Sequence, residues 1–206
     1  MADLTFYTNP QSRGRIIRWM LEETEAPYET VVLDYGPAMK SPEYLAINPM
    51  GKVPAITHGE VRVTECAAIC AYLADAFPEA KLAPELGSPA RGEYYRWLFT
   101  TAGPLEHAVS NKAFGFEVAA DKEMTVGYGN LARLLDVIEA RLAEGPYLTG
   151  KSFTAADLYL GAQLGWGMMF GTIEKRPAFS EYHERLGERP AAKRAMAKDT
   201  EVIAEK

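Results

Sequence analysis

The segment Asn48–Pro54, which reads Asn-Pro-Met-Gly-Lys-Val-Pro, most constrains how this chain can fold. Its asparagine, glycine and prolines are turn formers, and it runs into the short apolar stretch Val53–Ile56, which is predicted to be a strand. A proline this close to the start of a strand cannot donate to the sheet. A cis Val53–Pro54 bond in a tight turn would account for it, and would leave the Val53 backbone groups available to a peptide-like ligand.

A returning strand and a helix are predicted directly after this segment. The strand covers Val61–Thr64, and Glu65 begins the amphipathic run Cys66–Phe77. The N–H groups at a helix start attract anions, and the Glu65 carboxylate attracts a cation. Together they predict a binding site for a zwitterion.

Residues 1–78 are predicted to form one small α/β domain. Strands at Leu4–Tyr7 and Thr30–Leu33 flank a helix that ends near Glu23, and a short helix starts at Ser41, an N-cap residue followed by proline. With the elements above, the order is βαβαββα. Alternation at this spacing predicts a small mixed sheet in a thioredoxin-like arrangement.

A second, all-helical domain is predicted over residues 90–206, after a linker at 79–89 that contains prolines and a glycine. Its helices are predicted at Arg91–Asn111 with a kink at Pro104, at Leu131–Leu142, from the capping-box start Thr154–Asp157, and in two short segments that fray after about Met196.

Charge and cysteine content restrict the partners and the compartment. The net charge of -6, without a basic block, argues against binding to nucleic acids or anionic membranes. Cys66 and Cys70 lie four residues apart, where Cβ atoms are ~5.5 Å apart, too far for the ~3.8 Å of a disulfide. They are interpreted as reduced thiols of a cytoplasmic protein. The start of the chain lacks a signal-peptide pattern, and the uncharged stretch Leu158–Ile173 is too short to span a membrane.

These features together resemble the cytosolic glutathione S-transferase family. The thioredoxin-like half carries Asn48–Pro54 and Thr64-Glu65, the helical half carries Phe153–Asp157, and the resemblance covers the whole chain. The opening segment Phe6–Arg15 is closer to the bacterial members of the serine and cysteine subgroups than to those that use tyrosine. The resemblance implies that the protein is a homodimer that acts in detoxification. It also implies that glutathione is the co-substrate and that no other cofactor or metal is needed.

The resemblance also implies how glutathione would bind. Val53, held by the Pro54 turn, would pair through its backbone with the cysteinyl part, and Glu65 would hold the γ-glutamyl ammonium. Cys66 would meet the γ-glutamyl carboxylate at a place that is usually serine. A thiol is a poor donor, so the Cys66 backbone N–H must contribute more of the binding. The cations placed to meet the glycyl carboxylate are Lys40 and Lys52.

Ser12 is the first candidate for activating the glutathione thiol, because it lies before the first helix, where the family's catalytic serine or cysteine lies. Lowering a thiol pKa by ~2 units takes ~2.7 kcal/mol. A hydroxyl donor stabilises the thiolate by ~1.5–3 kcal/mol, and a helix start stabilises it by ~0.3–1 kcal/mol. The Ser12 oxygen is expected to cap the helix, which leaves its hydroxyl hydrogen free for the thiolate. Tyr7 and Asn9 are the alternatives. Arginine rather than cysteine follows Ser12, which favours conjugation over thiol reduction.

The second substrate is predicted to be a small hydrophobic electrophile held in an apolar pocket between the halves, although helix packing explains the same residues equally well. The predicted reaction is conjugation of glutathione to that electrophile. A non-catalytic binding or scaffold protein, and a glutathione-dependent peroxidase, isomerase or dehalogenase, are the alternatives. The residues predicted to line the pocket are Tyr95, Phe99, His107, Trp166 and Phe170.

Overall fold

The computed structural model describes residues 3–204, which separate into two compact units. The first unit comprises the described residues up to Leu82 together with those from Glu188 onward, and the second unit is Ala83–Gly187. The sequence placed everything beyond residue 90 in the helical half. In the structure, the segment from Glu188 onward instead packs with the α/β half.

The first unit is a four-stranded mixed sheet with helices. Its sheet has the order β2-β1-β3-β4, in which β1 and β2 are parallel and the other neighbours are antiparallel. The predicted thioredoxin-like βαβαββα order is confirmed. The elements are β1 (Leu4–Thr8), α1 (Gly14–Thr24), β2 (Glu29–Val32), α2 (Pro42–Leu45), β3 (Ala55–His58), β4 (Val61–Thr64) and α3 (Cys66–Ala76).

The local geometry around the third strand follows the sequence closely. The Val53–Pro54 peptide bond is cis, as predicted. The strand itself begins at Ala55 rather than at Val53, because its ladder with β1 ends where Ala55 pairs with Tyr7. Ser41 caps α2 as expected, since its Oγ accepts a hydrogen bond from the Tyr44 N–H.

The second unit is helical, as predicted. A π-helical turn at Thr101–Leu105, which contains Pro104, separates its first two helices. Within the described residues of this unit, β pairing is limited to an isolated bridge between Tyr147 and Gly150. The helices are α4 (Pro89–Thr100), α5 (Glu106–Ala113), α6 (Leu131–Ala143), α7 (Ala155–Met169) and α8 (Pro177–Gly187).

Helix α7 is the core of the second unit and is buried on almost all sides. It starts at a capping box between Thr154 and Asp157, as predicted. Burial on all sides explains the uncharged stretch, since an all-round apolar helix needs protein around it. Gly161 lets α8 approach closely, because a Cβ there would collide with Leu186. Among the described helices, none is long and apolar enough to span a bilayer.

The last helix, α9 (Pro190–Ala204), corrects the prediction of a tail that frays after Met196. It packs on α1 and buries Ala191, Ala195 and Asp199. The Asp199 carboxylate accepts a hydrogen bond of 3.1 Å from Nε of Arg18, and both side chains are almost fully buried. This long-range ion pair orders the helix beyond the point where its own sequence pattern weakens.

Candidate functional site

The loop before the cis proline is fixed by two side chains that share one carbonyl. Tyr44 Oη donates to the Lys52 carbonyl oxygen at 2.6 Å, and Asn48 Nδ2 donates to the same oxygen at 2.7 Å. Burial raises the pKa of Tyr44 to about 12, so it remains a neutral donor. Val53 follows directly and lies beyond the last ladder pair at Ala55. Its backbone groups therefore lie beyond the end of this interior strand and are not used by the ladder.

The two predicted lysines have different surroundings. Lys40 Nζ donates to the carbonyl oxygens of Met50 at 3.0 Å and Gly51 at 3.1 Å. A Cβ at Gly51 would lie 2.7 Å from this ammonium, and the backbone there has a φ of +57°, so glycine is required. Lys52 is exposed. Lys40 thus secures the loop, while Lys52 extends its charge into solvent.

Glu65 adopts a backbone conformation that is rare for a side chain other than glycine. Its φ of 67° and ψ of 123° lie in a strained region at the N-cap of α3. Strain of this kind is typical of functional positions. The exposed carboxylate makes no capping bond to its own helix, so its charge is directed to solvent.

Helices α1 and α3 begin next to each other. Cys66, the first residue of α3, is buried, and its Sγ lies 3.9 Å from the carbonyl oxygen of Arg13, the N-cap of α1. Two helix N-termini therefore add their positive potentials in one place, which favours an anion. Cys66 and Cys70 both carry reduced thiols.

Ser12 lies in the loop before α1 and is buried. Its Oγ accepts a hydrogen bond from the Gly14 N–H at 2.9 Å. Ser12 is not the predicted N-cap, because the N-cap of α1 is Arg13 and Ser12 lies one residue before it. The hydroxyl hydrogen, expected to be free, is instead directed to the Asn9 carbonyl oxygen at 2.6 Å. A hydroxyl rotates about its C–O bond, so the same hydrogen can be redirected to another acceptor.

The two alternatives to Ser12 are engaged in structural contacts. The Asn9 side chain donates to the Leu33 carbonyl oxygen at 2.8 Å and accepts from the Gln11 N–H at 2.9 Å. Tyr7 is half-buried, and its ring lies 5.7 Å from that of Tyr44. These contacts hold Asn9 and Tyr7 in the wall of the site.

The five residues predicted to bind an electrophile all belong to the second unit. Tyr95, Phe99, His107 and Phe170 are exposed, Trp166 is half-buried, and only Trp166 and Phe170 are seen to contact each other, edge to face with centroids 6.2 Å apart. A cavity of about 470 Å³ in this unit is lined by other residues, among them Phe116, Tyr128, Leu131 and Leu135. Nothing in the geometry of this unit tests the pocket, which stays a prediction.

Two site residues were missed by the sequence reasoning. Asn48 was interpreted only as a turn former, yet it is buried and holds the Lys52 carbonyl. The Asn-Pro-x-Gly pattern could have indicated this, because asparagine in such a turn accepts a hydrogen bond from the backbone two residues on. In the structure, Asn48 Oδ1 accepts the Met50 N–H. Tyr44 gave no such signal, because its role depends on a hydrogen bond to the Lys52 carbonyl oxygen that forms only in the folded protein.

The described residues contain no group of three or more His, Cys, Asp or Glu side chains arranged to hold a metal ion. The groups described at the site are hydrogen-bond donors, helix N-termini and single charges. These groups are suited to binding a charged peptide-like molecule and to stabilising an anion near the start of α1.

Comparison with known proteins agrees with this geometry. The family profile "Glutathione S-transferase, N-terminal domain" matches residues 2–75, and "Glutathione S-transferase, C-terminal domain" matches residues 117–185. Glutathione S-transferase 3 of Zea mays is 30% identical over 212 residues, covering 96% of this chain and 95% of the relative. Disulfide-bond oxidoreductase YfcG of Escherichia coli is 30% identical over 213 residues, with the same coverage of both chains.

A solved structure resembles the whole chain. Glutathione transferase URE2P6 of Phanerochaete chrysosporium, in complex with oxidized glutathione, has a TM-score of 0.79 and 25% identity, and the match covers 98% of each chain. The sheet, the cis proline, the helical second unit and the two family matches lead to one conclusion. The chain belongs to the glutathione S-transferase family.

Proposed function

We propose that this protein is a glutathione transferase that joins the thiolate of glutathione to small hydrophobic electrophiles. The observation that carries the proposal is the position of Ser12, whose hydroxyl lies at the start of α1. The next residue, Arg13, has its carbonyl oxygen 3.9 Å from Sγ of Cys66 at the start of α3. A hydroxyl that can donate there would stabilise a thiolate.

Glutathione would lie along the loop and the start of α3. The Val53 backbone would pair with its cysteinyl part, next to Pro54. Glu65 would hold the γ-glutamyl ammonium, and the backbone N–H of Cys66 would bind the γ-glutamyl carboxylate. Lys52 would meet the glycyl carboxylate, with the Lys40 ammonium adding positive potential from the loop it secures.

Thiol activation would come from redirecting one hydrogen bond. When the Ser12 hydroxyl turns to the sulfur, the Asn9 carbonyl oxygen still accepts the Ser12 backbone N–H at 3.0 Å. The turn therefore leaves no buried carbonyl unpaired. A donor to an anion contributes ~1.5–3 kcal/mol and a helix start ~0.3–1 kcal/mol, enough to lower a thiol pKa by ~1–3 units.

The thiolate would then attack an electrophilic carbon, forming a C–S bond while a leaving group departs with its electron pair. The second unit would supply the apolar contacts, for which Tyr95, Phe99, His107, Trp166 and Phe170 are the proposed residues. The same thiolate could serve a peroxidase, isomerase or dehalogenase.

We further propose that the protein works in the cytoplasm as a homodimer. The reduced thiols of Cys66 and Cys70 support this compartment. Each unit carries exposed apolar side chains that a partner could cover, such as Val61 and Leu86. Light scattering at micromolar protein concentration tests the dimer, and a measured mass equal to that of one chain would overturn this proposal.

The test is a pH titration of thiolate ultraviolet absorbance for glutathione bound to the protein and to Ser12→Ala. The proposal expects a pKa ~1–3 units below the free value of ~8.5, which rises in the variant. Ser88→Ala is the matched control, because Ser88 Oγ likewise accepts a backbone N–H at the start of a helix and donates to a carbonyl three residues earlier, that of Glu85 at 2.7 Å. A lowered pKa that Ser12→Ala leaves unchanged moves the role to Tyr7 or Asn9. An unshifted thiol overturns the transferase proposal and favours a scaffold.

Disulfide reduction is the second candidate, because a relative of 30% identity is named a disulfide-bond oxidoreductase. The loop at Ser12 contains no cysteine, and the thiol of Cys66, the first residue of α3, is buried. A direct comparison would measure glutathione conjugation to 1-chloro-2,4-dinitrobenzene and glutathione-dependent reduction of 2-hydroxyethyl disulfide. Faster conjugation is expected, and reduction without conjugation would assign the protein to the second class.

A further inference from the structure

Thr8 ends β1 with a hydroxyl that has no visible structural purpose. The side chain is fully buried, and its Oγ1 has no hydrogen-bond partner in the structure. A buried hydroxyl without a partner destabilises a fold, and valine would fill nearly the same space without that cost. Leu4 and Phe6, which share the inward face of this strand, are apolar.

The orphaned hydroxyl lies close to Ser12. Gly14 shows this, because a Cβ added to it would collide with Thr8 Oγ1 and would also lie 3.0 Å from Ser12 Oγ. Both oxygens therefore border the same small space under the first turn of α1. The two hydroxyls do not form a hydrogen bond in this structure, since Ser12 is engaged with Asn9 and Gly14.

We infer that Thr8 is a positioning residue for Ser12: its hydroxyl donates to Ser12 Oγ when Ser12 donates to the glutathione thiolate. The inference rests on the proposed function. A serine oxygen has one hydrogen to give and two lone pairs to accept with. Gly14 N–H uses one lone pair at 2.9 Å, and Thr8 can use the other.

The contact would strengthen the catalytic hydrogen bond. An oxygen that accepts a second hydrogen bond becomes a better donor, because chains of hydrogen bonds polarise one another. Thr8 is held in place by its backbone, whose carbonyl oxygen accepts the Leu33 N–H at 2.8 Å and which pairs with Val32 in the sheet. Ser12 lies in a loop, so it is the partner that moves, and Thr8 fixes where the movement ends.

The experiment compares Thr8→Val, Thr8→Ser and Ser12→Ala with the unchanged protein, by titrating bound glutathione and by thermal unfolding. Thr8→Val is expected to raise the pKa of the bound thiol by about 0.5–1 unit. Thr8→Ser, which keeps a hydroxyl, is expected to have the thiol pKa of the unchanged protein. Thr8→Ala provides the same loss of the hydroxyl if the valine variant folds poorly. In the Ser12→Ala background, Thr8→Val should leave the thiol pKa unchanged.

A Thr8 hydroxyl that has no part in positioning Ser12 gives a different result. Thr8→Val would then melt at the same or a higher temperature with the thiol pKa of the unchanged protein, which overturns the inference while Ser12→Ala still shows its effect. An effect of Thr8→Val that persists in full without the Ser12 hydroxyl overturns it as well. An unshifted thiol in the unchanged protein instead overturns the proposed function itself, and this inference with it.

Discussion

Gly14 lies against Thr8 at the start of α1, where there is no room for a side chain. We expect Gly14→Ala to lower the free energy of unfolding by about 1–3 kcal/mol, the usual cost of overpacking. Urea denaturation measures this. Adding Thr8→Ala removes the colliding oxygen, so the double variant should recover part of the loss. If the losses of unfolding free energy in Gly14→Ala and Thr8→Ala simply add in the double variant, Thr8 is not the side chain that the added methyl group of Gly14→Ala would meet.

Cys66 stands where the resemblance to the family leads one to expect serine. We expect Cys66→Ser to lower the dissociation constant for glutathione about 2–10-fold, because a hydroxyl is a better donor to the γ-glutamyl carboxylate than a thiol. Isothermal titration calorimetry measures it. Cys70→Ala, one turn further along α3 and fully buried, is the control that should leave the constant unchanged. Weaker binding by Cys66→Ser would show that the thiol itself contacts the ligand.

At the scale of elements, α1 and α9 are joined by a buried ion pair. We expect Asp199→Asn to lower the free energy of unfolding by about 3–5 kcal/mol, since it leaves the buried Arg18 charge without its carboxylate. Arg18 would keep its hydrogen bond of 2.9 Å to Thr30 Oγ1. Glu188→Gln breaks an exposed pair with Lys193 and should cost less than about 1 kcal/mol. Equal losses in the two variants would contradict this assignment.

Glu22 makes the contact between α1 and α9 sensitive to acid. Burial by itself raises the pKa of its carboxyl, but hydrogen bonds from Lys198, Tyr28 and Arg194 outweigh it and hold the pKa below 4.5. A lowered pKa in the folded state contributes stability that is present above pH 4.5 and lost as pH falls through the folded pKa.

Glu22→Gln should therefore be less stable than the unchanged protein at pH 7, by about 1–3 kcal/mol. The difference should shrink as pH falls below 4.5, because protonation removes the same charge from the unchanged protein. Chemical denaturation at a series of pH values measures both curves. A difference that stays constant down to pH 3 would show that the carboxylate charge plays no part.

At the scale of the whole molecule, residues from opposite ends of the chain build one unit. Removing residues 188–206 should expose the face of α1 that α9 covers, and should lower protection from hydrogen exchange across Gly14–Thr24. Helix α7 should keep its protection, because it belongs to the second unit. Removing only residues 201–206 retains the buried Ala191, Ala195 and Asp199 and should change little. Loss of protection in α7 instead of α1 would contradict this division.

Much of the fold could be predicted because its signals are local. The cis proline, the Ser41 cap, the capping box at Thr154 and the order of strands each depend on residues close in sequence. Turn formers, caps and periodic apolar residues act within a few positions, so the pattern alone indicates them. The family followed from the order of these motifs.

The sequence by itself determined the element order, the cis turn and the family, whereas the tertiary structure decided how the site residues are used. The Ser12 hydrogen is directed to Asn9, the Lys40 ammonium secures the loop at Gly51, and the Thr8 hydroxyl is buried near Ser12. The last helix is held by a pair 181 residues apart in sequence. Such contacts depend on which elements fold against each other, and local propensity carries no record of a partner that distant.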